Sequence, residues 1–299
     1  MNDHSRLALG TAQFGLDYGV TNTRGRVPIR EVEQILENAE TCGVSTLDTA
    51  AAYGSSEEVL GSFGVSHRFR VITKIQPSAA EQVAVLISES CRRLKSERLD
   101  TVLLHDADVA LDELQIWASM VRARTEGLVQ RVGVSLYWPA QWHRLRRLCI
   151  ASDLPLPDVI QLPLNVFDQR FVGLLSELNA HGIETHVRSV YLQGAAFFGA
   201  NGVPRRLLPL LPGIERLADM SSRLGVSRAG LLQLFVLRMH SVDTLVLGID
   251  SALRFSETIA AFDEACDVLS DPAAGETFDF SQFSISDESI ILPSNWKTE

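Results

Sequence analysis

The chain is poor in cysteine and lysine, and no part of it is apolar for long. Its four cysteines, Cys42, Cys91, Cys149 and Cys266, stand far apart. This separation argues against the paired spacing of disulfide frameworks and zinc sites. No apolar run approaches the ~20 residues of a membrane helix, and the N-terminus lacks a basic segment followed by an apolar core. These absences predict a cytoplasmic protein with no metal site and no membrane partner.

Acidic residues outnumber basic ones, and the formal net charge is -10. This charge argues against nucleic acid or an anionic membrane as a partner. A phosphorylated ligand stays compatible with it, because backbone amides and one or two arginines can bind phosphate locally. Only Lys74, Lys95 and Lys297 are lysine. A lysine within a buried strand is therefore conspicuous, and Lys74 lies in a predicted strand.

Short apolar runs alternate with helical patterns along the chain. The predicted strands cover residues 7–9, 44–47, 69–74, 101–104, 131–134, 159–162, 184–187 and 244–247. Continuous apolar runs are typical of strands buried on both faces, and strict alternation with helices indicates a parallel sheet. One of the intervening helices is predicted over residues 111–126, and Ser55 or Ser56 is expected to cap another.

The number of these units favours a barrel. Eight of them within 299 residues fit a (β/α)₈ TIM barrel better than a doubly wound sheet. No Gly-x-Gly-x-x-Gly follows the first strand, which also disfavours the doubly wound alternative. We predict a single α/β domain over 1–299, with a barrel core over about 7–269. A C-terminal tail over about 270–299 is expected to lie across one barrel face.

Three predicted strand ends carry titratable side chains. Asp48 and Tyr53 follow the second strand, Lys74 ends the third and His105 follows the fourth. Neighbouring barrel strands bring such ends together above the barrel mouth. An ammonium beside a phenol stabilises the phenolate, a carboxylate keeps the ammonium charged, and an imidazole can orient a carbonyl. Each residue alone has an ordinary structural explanation, but all four together predict acid–base chemistry.

These residues stand in segments that resemble the aldo-keto reductase family. The matching segments are Asp48-Thr49-Ala50-x-x-Tyr53-Gly54, Ser56-Glu57-x-x-Leu60-Gly61, Val71-Ile72-Thr73-Lys74, Leu103-Leu104-His105, Gly127-x-x-x-Arg131-x-Gly133-Val134-Ser135, Gln161-Leu162-Pro163-Leu164-Asn165, Gln193-Gly194, and Leu247-Gly248 to Glu257. They follow the family's order over about residues 7–262, and the resemblance independently implies the barrel. It also implies NAD(P)H-dependent carbonyl reduction. In that reaction Tyr53 is the general acid, Lys74 lowers its pKa, Asp48 pairs with Lys74 and His105 orients the substrate.

The resemblance further implies a nicotinamide dinucleotide site. Ser135 and Gln161 match residues that hold the nicotinamide carboxamide, although Leu136 replaces a common polar neighbour. Arg188 stands where an aromatic residue usually stacks on the nicotinamide, and a guanidinium plane can also stack on a ring. The full set of expected cofactor residues is Gly10, Thr11, Ala12, Asp48, Ser135, Gln161, Arg188, Ser189, Leu192, Gln193, Gly194, Gly248, Asp250, Ser251, Arg254, Glu257 and Thr258.

The choice of dinucleotide depends on two residues of opposite charge. Asp250 matches a position near the 2′-phosphate of NADPH, where a carboxylate repels phosphate and can accept from a free ribose hydroxyl. Arg254 acts in the opposite sense. NADPH is the expected cofactor, and NADH stays open because of Asp250.

The substrate and the reaction class have alternatives. Residues 13–19 are rich in side chains that could contact a polyhydroxylated ligand, such as a sugar or nucleotide sugar with a carbonyl group. This segment is similar to that of bacterial relatives associated with sugar metabolism. The changes at Leu136 and Arg188 also fit an epimerase or dehydratase that keeps a bound nucleotide. A non-catalytic nucleotide-sensing subunit is the third reading, because fold does not fix function. The sequence predicts no particular oligomeric state.

Overall fold

A computed structural model describes residues 3–20, 22–199, 202–270 and 278–296. Eight parallel strands form a closed barrel in chain order, with β8 hydrogen-bonded to β1. The strands are β1 (Leu7–Gly10), β2 (Thr46–Asp48), β3 (Arg70–Ile75), β4 (Leu99–Leu104), β5 (Val129–Ser135), β6 (Val159–Pro163), β7 (Glu184–Arg188) and β8 (Thr244–Gly248). The predicted (β/α)₈ architecture is confirmed.

Helices join and surround the strands. They are α1 (Ala12–Gly15), α2 (Ile29–Cys42), α3 (Ser56–Ser62), α4 (Gln82–Leu94), α5 (Asp108–Asp112), α6 (Leu114–Thr125), α7 (Pro139–Ala151), α8 (Leu175–Ala180), α9 (Leu211–Leu224), α10 (Arg228–Leu237), α11 (Ala252–Ser270) and α12 (Glu288–Ile291). Within the described ranges, no helix has the length and apolarity needed to cross a bilayer.

The outer helices pack because of their apolar spacing. In α2, Val32, Ile35, Leu36 and Ala39 recur at helical intervals and are fully buried. Burying one aliphatic side chain of this size stabilises a fold by roughly 1.5–3 kcal/mol. The opposite face of α2 carries mainly charged residues and meets solvent.

One local prediction is wrong, and another holds in position only. The helix expected over 111–126 is two helices, because the backbone of Glu113 is extended between α5 and α6. Buried Ala110 and Trp117 are seven residues apart, which also fits one continuous helix, so the pattern does not reveal the break. Ser55 occupies the N-cap position of α3, as expected, but its side chain makes no capping hydrogen bond. The Ser56 hydroxyl instead donates to the carbonyl of Thr11 at 2.9 Å and so joins α3 to the end of β1.

A ring of four charged residues lies at the amino-terminal end of the barrel. Arg70 of β3 donates to Asp100 of β4 at 3.0 Å and to Glu184 of β7 at 2.6 Å. Arg131 of β5 contacts the same two carboxylates. Burial alone would raise the pKa of Glu184, but hydrogen bonds with His186 and Arg70 hold that pKa well below its ordinary value. These pairs close the barrel at this end.

The described part of the C-terminal tail lies against the opposite end, as predicted. Trp138 Nε1 donates to Glu288 at 2.9 Å, and the amide of Ile285 donates to the carbonyl of Phe167 at 2.8 Å. Residues 291–294 then line the cavity at the barrel mouth. The predicted tail residues 271–277 and 297–299 lie outside the described residues.

Replacing Gly133 with alanine should destabilise the barrel strongly. An added Cβ would meet the Val159 carbonyl oxygen and the Leu103 side chain, which pack in the fully buried barrel interior. Overpacking of a core typically costs 1–3 kcal/mol, and displacing a backbone carbonyl places this variant at about the upper end. Urea denaturation measures the loss. Gly173→Ala is the control, because none of the described residues lies within 4 Å of its added Cβ, and equal stability of the two variants would contradict the prediction.

Candidate active site

The carboxyl ends of the strands deliver polar side chains to one cavity. Asp48 ends β2, Lys74 lies near the end of β3 and His105 follows β4. Tyr53 lies in the turn between β2 and α3. All four side chains line the same cavity, whose volume is about 630 Å³. The predicted catalytic residues are therefore brought together.

A buried ion pair forms the floor of this cavity. Lys74 Nζ donates to Asp48 Oδ1 at 2.6 Å and to the Thr49 carbonyl at 2.9 Å. Gln161 Nε2 donates to the other carboxylate oxygen of Asp48 at 2.7 Å. Lys74 is 1% exposed and Asp48 3%. Burial lowers the pKa of Lys74, and the charge of Asp48 acts against that lowering.

Tyr53 stands between the ion pair and His105. Lys74 Nζ lies 5.2 Å from the centre of the Tyr53 ring, and the rings of Tyr53 and His105 meet edge to face at 5.8 Å. Gly54 has a φ of +56°, which glycine adopts without strain. A Cβ at Gly15 would strike the Tyr53 carbonyl. The close packing of α1 on this turn therefore fixes the position of the tyrosine.

The pKa of Tyr53 moves in the direction opposite to the one implied by the resemblance. Burial raises it, the nearby charge of Asp48 raises it further, and the charge of Arg188 acts against this rise. The sequence-based expectation considered the ammonium of Lys74 and omitted the desolvation that comes with it. Tyr53 therefore holds its proton throughout the neutral pH range.

His105 is a neutral imidazole near pH 7. Burial lowers the pKa of His105 to about 4, and the positive charges of Lys74 and Arg188 contribute to this. A neutral imidazole can donate one hydrogen bond to a carbonyl oxygen, but it is not a proton-loaded acid at this pH. Tyr53 and His105 face the same space, and of these two Tyr53 is the one suited to donate a proton.

Most of the expected cofactor residues line the same cavity. They are Gly10, Ala12, Asp48, Ser135, Gln161, Arg188, Ser189, Gln193, Gly194, Gly248, Asp250, Arg254, Glu257 and Thr258. Thr11, Leu192 and Ser251 do not line it and are buried. The Thr11 hydroxyl donates to the Asp48 carbonyl at 3.0 Å, and the Ser251 hydroxyl accepts from the amide of Arg254 at 3.2 Å. Thr11 and Ser251 therefore support the cavity wall.

The middle of the cavity has features that suit a nicotinamide carboxamide. Ser135 and Gln161 are paired neighbours in the β5–β6 register. Gln161 Oε1 has no hydrogen-bond partner among the described residues, while its Nε2 is held by Asp48. A buried acceptor without a partner is costly, and an amide N–H would satisfy it. The residues present therefore fit the group that the resemblance implies.

Arg188 is held firmly beside Ser135. Its guanidinium stacks on the Tyr137 ring with 4.5 Å between Cζ and the ring centre. It donates to the Leu136 carbonyl at 3.1 Å and to the hydroxyls of Ser135 and Ser189 at 3.4 Å each. The position that usually has an aromatic ring is thus occupied by a planar cation.

The segment after β7 has an unusual backbone. Ser189, Leu192 and Gln193 have φ values of 62°, 47° and 53°, and Gly194 follows at 89°. Left-handed backbone is uncommon for residues other than glycine and costs on the order of 1 kcal/mol or more each. Such strain is typical of ligand-binding loops, and Ser189, Gln193 and Gly194 all line the cavity.

The far end of the cavity carries mixed charge. Arg254 Nη1 donates to Glu257 at 2.7 Å, and both side chains are exposed. The carboxylate of Asp250 accepts from the Ser251 hydroxyl at 3.1 Å. Arg254 already pairs with Glu257, so its positive charge does not fully neutralise the negative charge of Asp250. Within the described ranges, no group of three or more His, Cys, Asp or Glu residues could hold a metal ion.

Several lining residues were absent from the predicted site set. They include Tyr137, Tyr191, Phe197 and the tail residues Ile291, Leu292, Pro293 and Ser294. Tyr137 stands two residues beyond Ser135, so its nearness to a strand end was a usable signal. Gln13 and Tyr18 belong to the loop predicted to contact substrate, and both line the cavity. The Tyr18 hydroxyl accepts from Gln193 Nε2 at 2.9 Å across the mouth.

Known proteins resemble this chain in both sequence and fold. The model of the Aldo/keto reductase family matches residues 6–270. An uncharacterized oxidoreductase of Schizosaccharomyces pombe is 27% identical over 173 residues, which span 54% of this chain and 60% of the yeast protein. The methylglyoxal reductase DkgA of Escherichia coli is 28% identical over 195 residues, or 63% of this chain and 67% of that protein.

A solved structure resembles the fold. It is a Pseudomonas aeruginosa protein assigned to the aldo-keto reductases, with a TM-score of 0.67 at 21% identity. The superposition covers 87% of this chain and 90% of that protein. At this level of identity the likeness supports the barrel fold alone.

The buried His105 should make the protein sensitive to acid. The pKa of this residue is about 4 in the native state against an ordinary 6.5, so the unfolded chain binds more protons across that window. The free energy of unfolding must therefore fall as the pH drops from 6.5 towards 4. His105→Gln should reduce this slope, as measured by urea denaturation at about pH 5 and about pH 7. His67→Gln, at an exposed site, is the control, and an unchanged slope in His105→Gln would refute the prediction.

Proposed function

The chain belongs to the aldo/keto reductase family, and on this basis we propose that it uses NADPH, or NADH, to reduce an aldehyde or ketone to an alcohol. The family is one of oxidoreductases. The observation that carries the proposal is the contact of Asp48, Tyr53, Lys74 and His105 along one wall of a cavity of about 630 Å³. Cavities that bind small molecules and cofactors usually measure ~300–1,000 Å³.

Tyr53 is proposed to donate the proton. Its raised pKa keeps it protonated until negative charge develops on the carbonyl oxygen of the substrate. Lys74, 5.2 Å from the ring centre, then favours the forming phenolate. Asp48 balances the ammonium in the resting site, so the pair stays buried without a free charge.

His105 is proposed to orient the substrate. Its imidazole packs edge to face against Tyr53 at 5.8 Å. Because its pKa is lowered to about 4, the neutral ring can donate to the carbonyl oxygen without competing as an acid. This arrangement separates the binding of the oxygen from its protonation.

Ser135 and Gln161 are proposed to hold the carboxamide of the cofactor, whose reduced ring supplies the hydride. Gln161 Oε1 lacks a partner among the described residues and suits an amide donor. The strained segment that begins at Ser189 is proposed to bind the pyrophosphate. The loop that contains Asp250 is proposed to bind the adenosine end.

The substrate class is open to direct testing. The Escherichia coli relative is named a methylglyoxal reductase, so methylglyoxal belongs in the first panel of aldehydes. The polar loop with Gln13 and Tyr18 lines the cavity mouth and supports including keto sugars and nucleotide sugars. Oxidation of NADPH or NADH, followed by absorbance, measures turnover.

Tyr53→Phe should abolish carbonyl reduction and leave cofactor binding nearly intact. Loss of general acid catalysis typically lowers the rate by about 10²–10⁴-fold, and we expect a loss of that size in this variant. Lys74→Met should approach the same loss, because it removes the charge that favours the phenolate. Turnover is measured spectrophotometrically and cofactor affinity by calorimetry. Retention of more than about a tenth of the native rate by Tyr53→Phe would make the assignment wrong.

Asp250→Ser should shift cofactor preference towards NADPH. The substitution removes a carboxylate from the proposed adenosine end, where a 2′-phosphate would be repelled. One such contact at a partly solvated site is worth on the order of 1 kcal/mol. The ratio of NADPH to NADH dissociation constants measures it. An unchanged ratio in Asp250→Ser would contradict the prediction.

A further inference from the structure

Arg188 is the one cation lining the cavity that lacks a carboxylate partner among the described residues. Lys74 is paired with Asp48 and Arg254 with Glu257. The partners of Arg188 are the Leu136 carbonyl and the hydroxyls of Ser135 and Ser189, all of them neutral. A guanidinium keeps its charge throughout the neutral range. The centre of the cavity therefore carries a fixed positive charge.

This charge is held in place. Stacking on Tyr137 at 4.5 Å and donation to three neighbouring oxygens restrain the guanidinium beside the end of β5. Its field reaches the other site residues, because it contributes, after burial and Lys74, to the lowered pKa of His105. A restrained cation in a partly buried site interacts with a second charge more strongly than it would in water.

The two redox forms of a nicotinamide differ in charge on the ring. The oxidised ring carries a positive charge that the reduced ring lacks, while the phosphates and the adenosine are the same in both. Arg188 adjoins Ser135, one of the two residues proposed to hold the carboxamide. We infer that Arg188 makes this cavity bind the reduced dinucleotide more tightly than the oxidised one. This inference rests on the proposed function.

The consequence concerns the direction of the reaction. A site that prefers the reduced form takes it up readily and releases the oxidised form readily, which assists the two exchange steps of carbonyl reduction but makes the bound cofactor a weaker hydride donor. By linkage, each tenfold preference raises the two-electron potential of the bound cofactor by about 30 mV. An aromatic residue at this position would supply stacking without this charge.

The test compares dissociation constants of the two forms in the full chain. NADPH and NADP⁺, and then NADH and NAD⁺, are titrated by calorimetry into the native protein and into Arg188→Gln. We expect the native protein to prefer the reduced form. The ratio of oxidised to reduced dissociation constants should fall by at least about tenfold in Arg188→Gln, because two unit charges as far as about 12 Å apart still interact by about that factor at an effective dielectric constant of about 20.

Two further variants separate charge from structure. Arg188→Lys keeps the charge and should keep the ratio within about threefold of native. Arg238→Gln is the matched control, because Arg238 also stacks on an aromatic ring, Phe280, and donates to a backbone carbonyl, that of Phe278. It does not line the cavity, so its ratio should stay native. These comparisons remain decisive if Arg188→Gln is less stable, because Arg188→Lys also loses the planar stack and the fork of donors, so a purely structural effect would change the ratio in both variants.

The outcomes distinguish this inference from the proposed function. If neither dinucleotide binds the native protein at millimolar concentration, the proposed function is wrong. If both forms bind and the ratio in Arg188→Gln equals that of the native protein, the inference is overturned and the proposed function stands. A ratio that falls equally in Arg188→Lys and Arg188→Gln would also overturn it, because the charge would then not be the cause.

Discussion

The buried ion pair between Lys74 and Asp48 is the interaction on which the site depends. An isolated ammonium in this position would cost several kcal/mol, and removing either partner of such a pair typically costs about 3–5 kcal/mol. The pair forms only when β2 and β3 are in the observed register, and the hydrogen bond from Gln161 to Asp48 forms only when β6 is brought across the barrel. The same contacts set the floor beneath Tyr53. Stability of the barrel and placement of the acid are thus one constraint.

Much of the fold and the central residues could be predicted from the sequence, because both produce local sequence patterns. Continuous apolar runs revealed the strands, and the polar residues at their ends revealed Asp48, Lys74 and His105. Features that depend on contacts between distant segments produce no such local pattern. The break at Glu113 preserves helical spacing, and Ile291 meets the cavity only because the tail crosses the mouth. The pKa direction at Tyr53 was also wrong, because desolvation is a property of the closed cavity.

The distribution of charge within the cavity changes from one end to the other. The wall beside Tyr53 holds a neutralised pair, the centre holds the unpaired Arg188, and the far end holds Asp250 beside the paired Arg254 and Glu257. These three regions correspond to the proposed sites of proton transfer, ring binding and adenosine binding. Each is built by different strands and loops, but the charge of Arg188 contributes to the pKa values of both Tyr53 and His105, so the centre and the wall beside Tyr53 are coupled electrostatically.

The ring of charged residues at the opposite end has a consequence for assembly of the fold. Arg70 and Asp100 belong to β3 and β4, whereas Arg131 and Glu184 belong to β5 and β7. Each half of the barrel therefore contributes one arginine and one carboxylate, and can make one ion pair by itself. The other two pairs, Arg70 with Glu184 and Arg131 with Asp100, join the halves. The pair between Arg131 and Asp100 joins the halves at neighbouring strands, whereas the pair between Arg70 and Glu184 spans the barrel from β3 to β7 and so stabilises the closed form. A half-barrel can make neither of these two pairs.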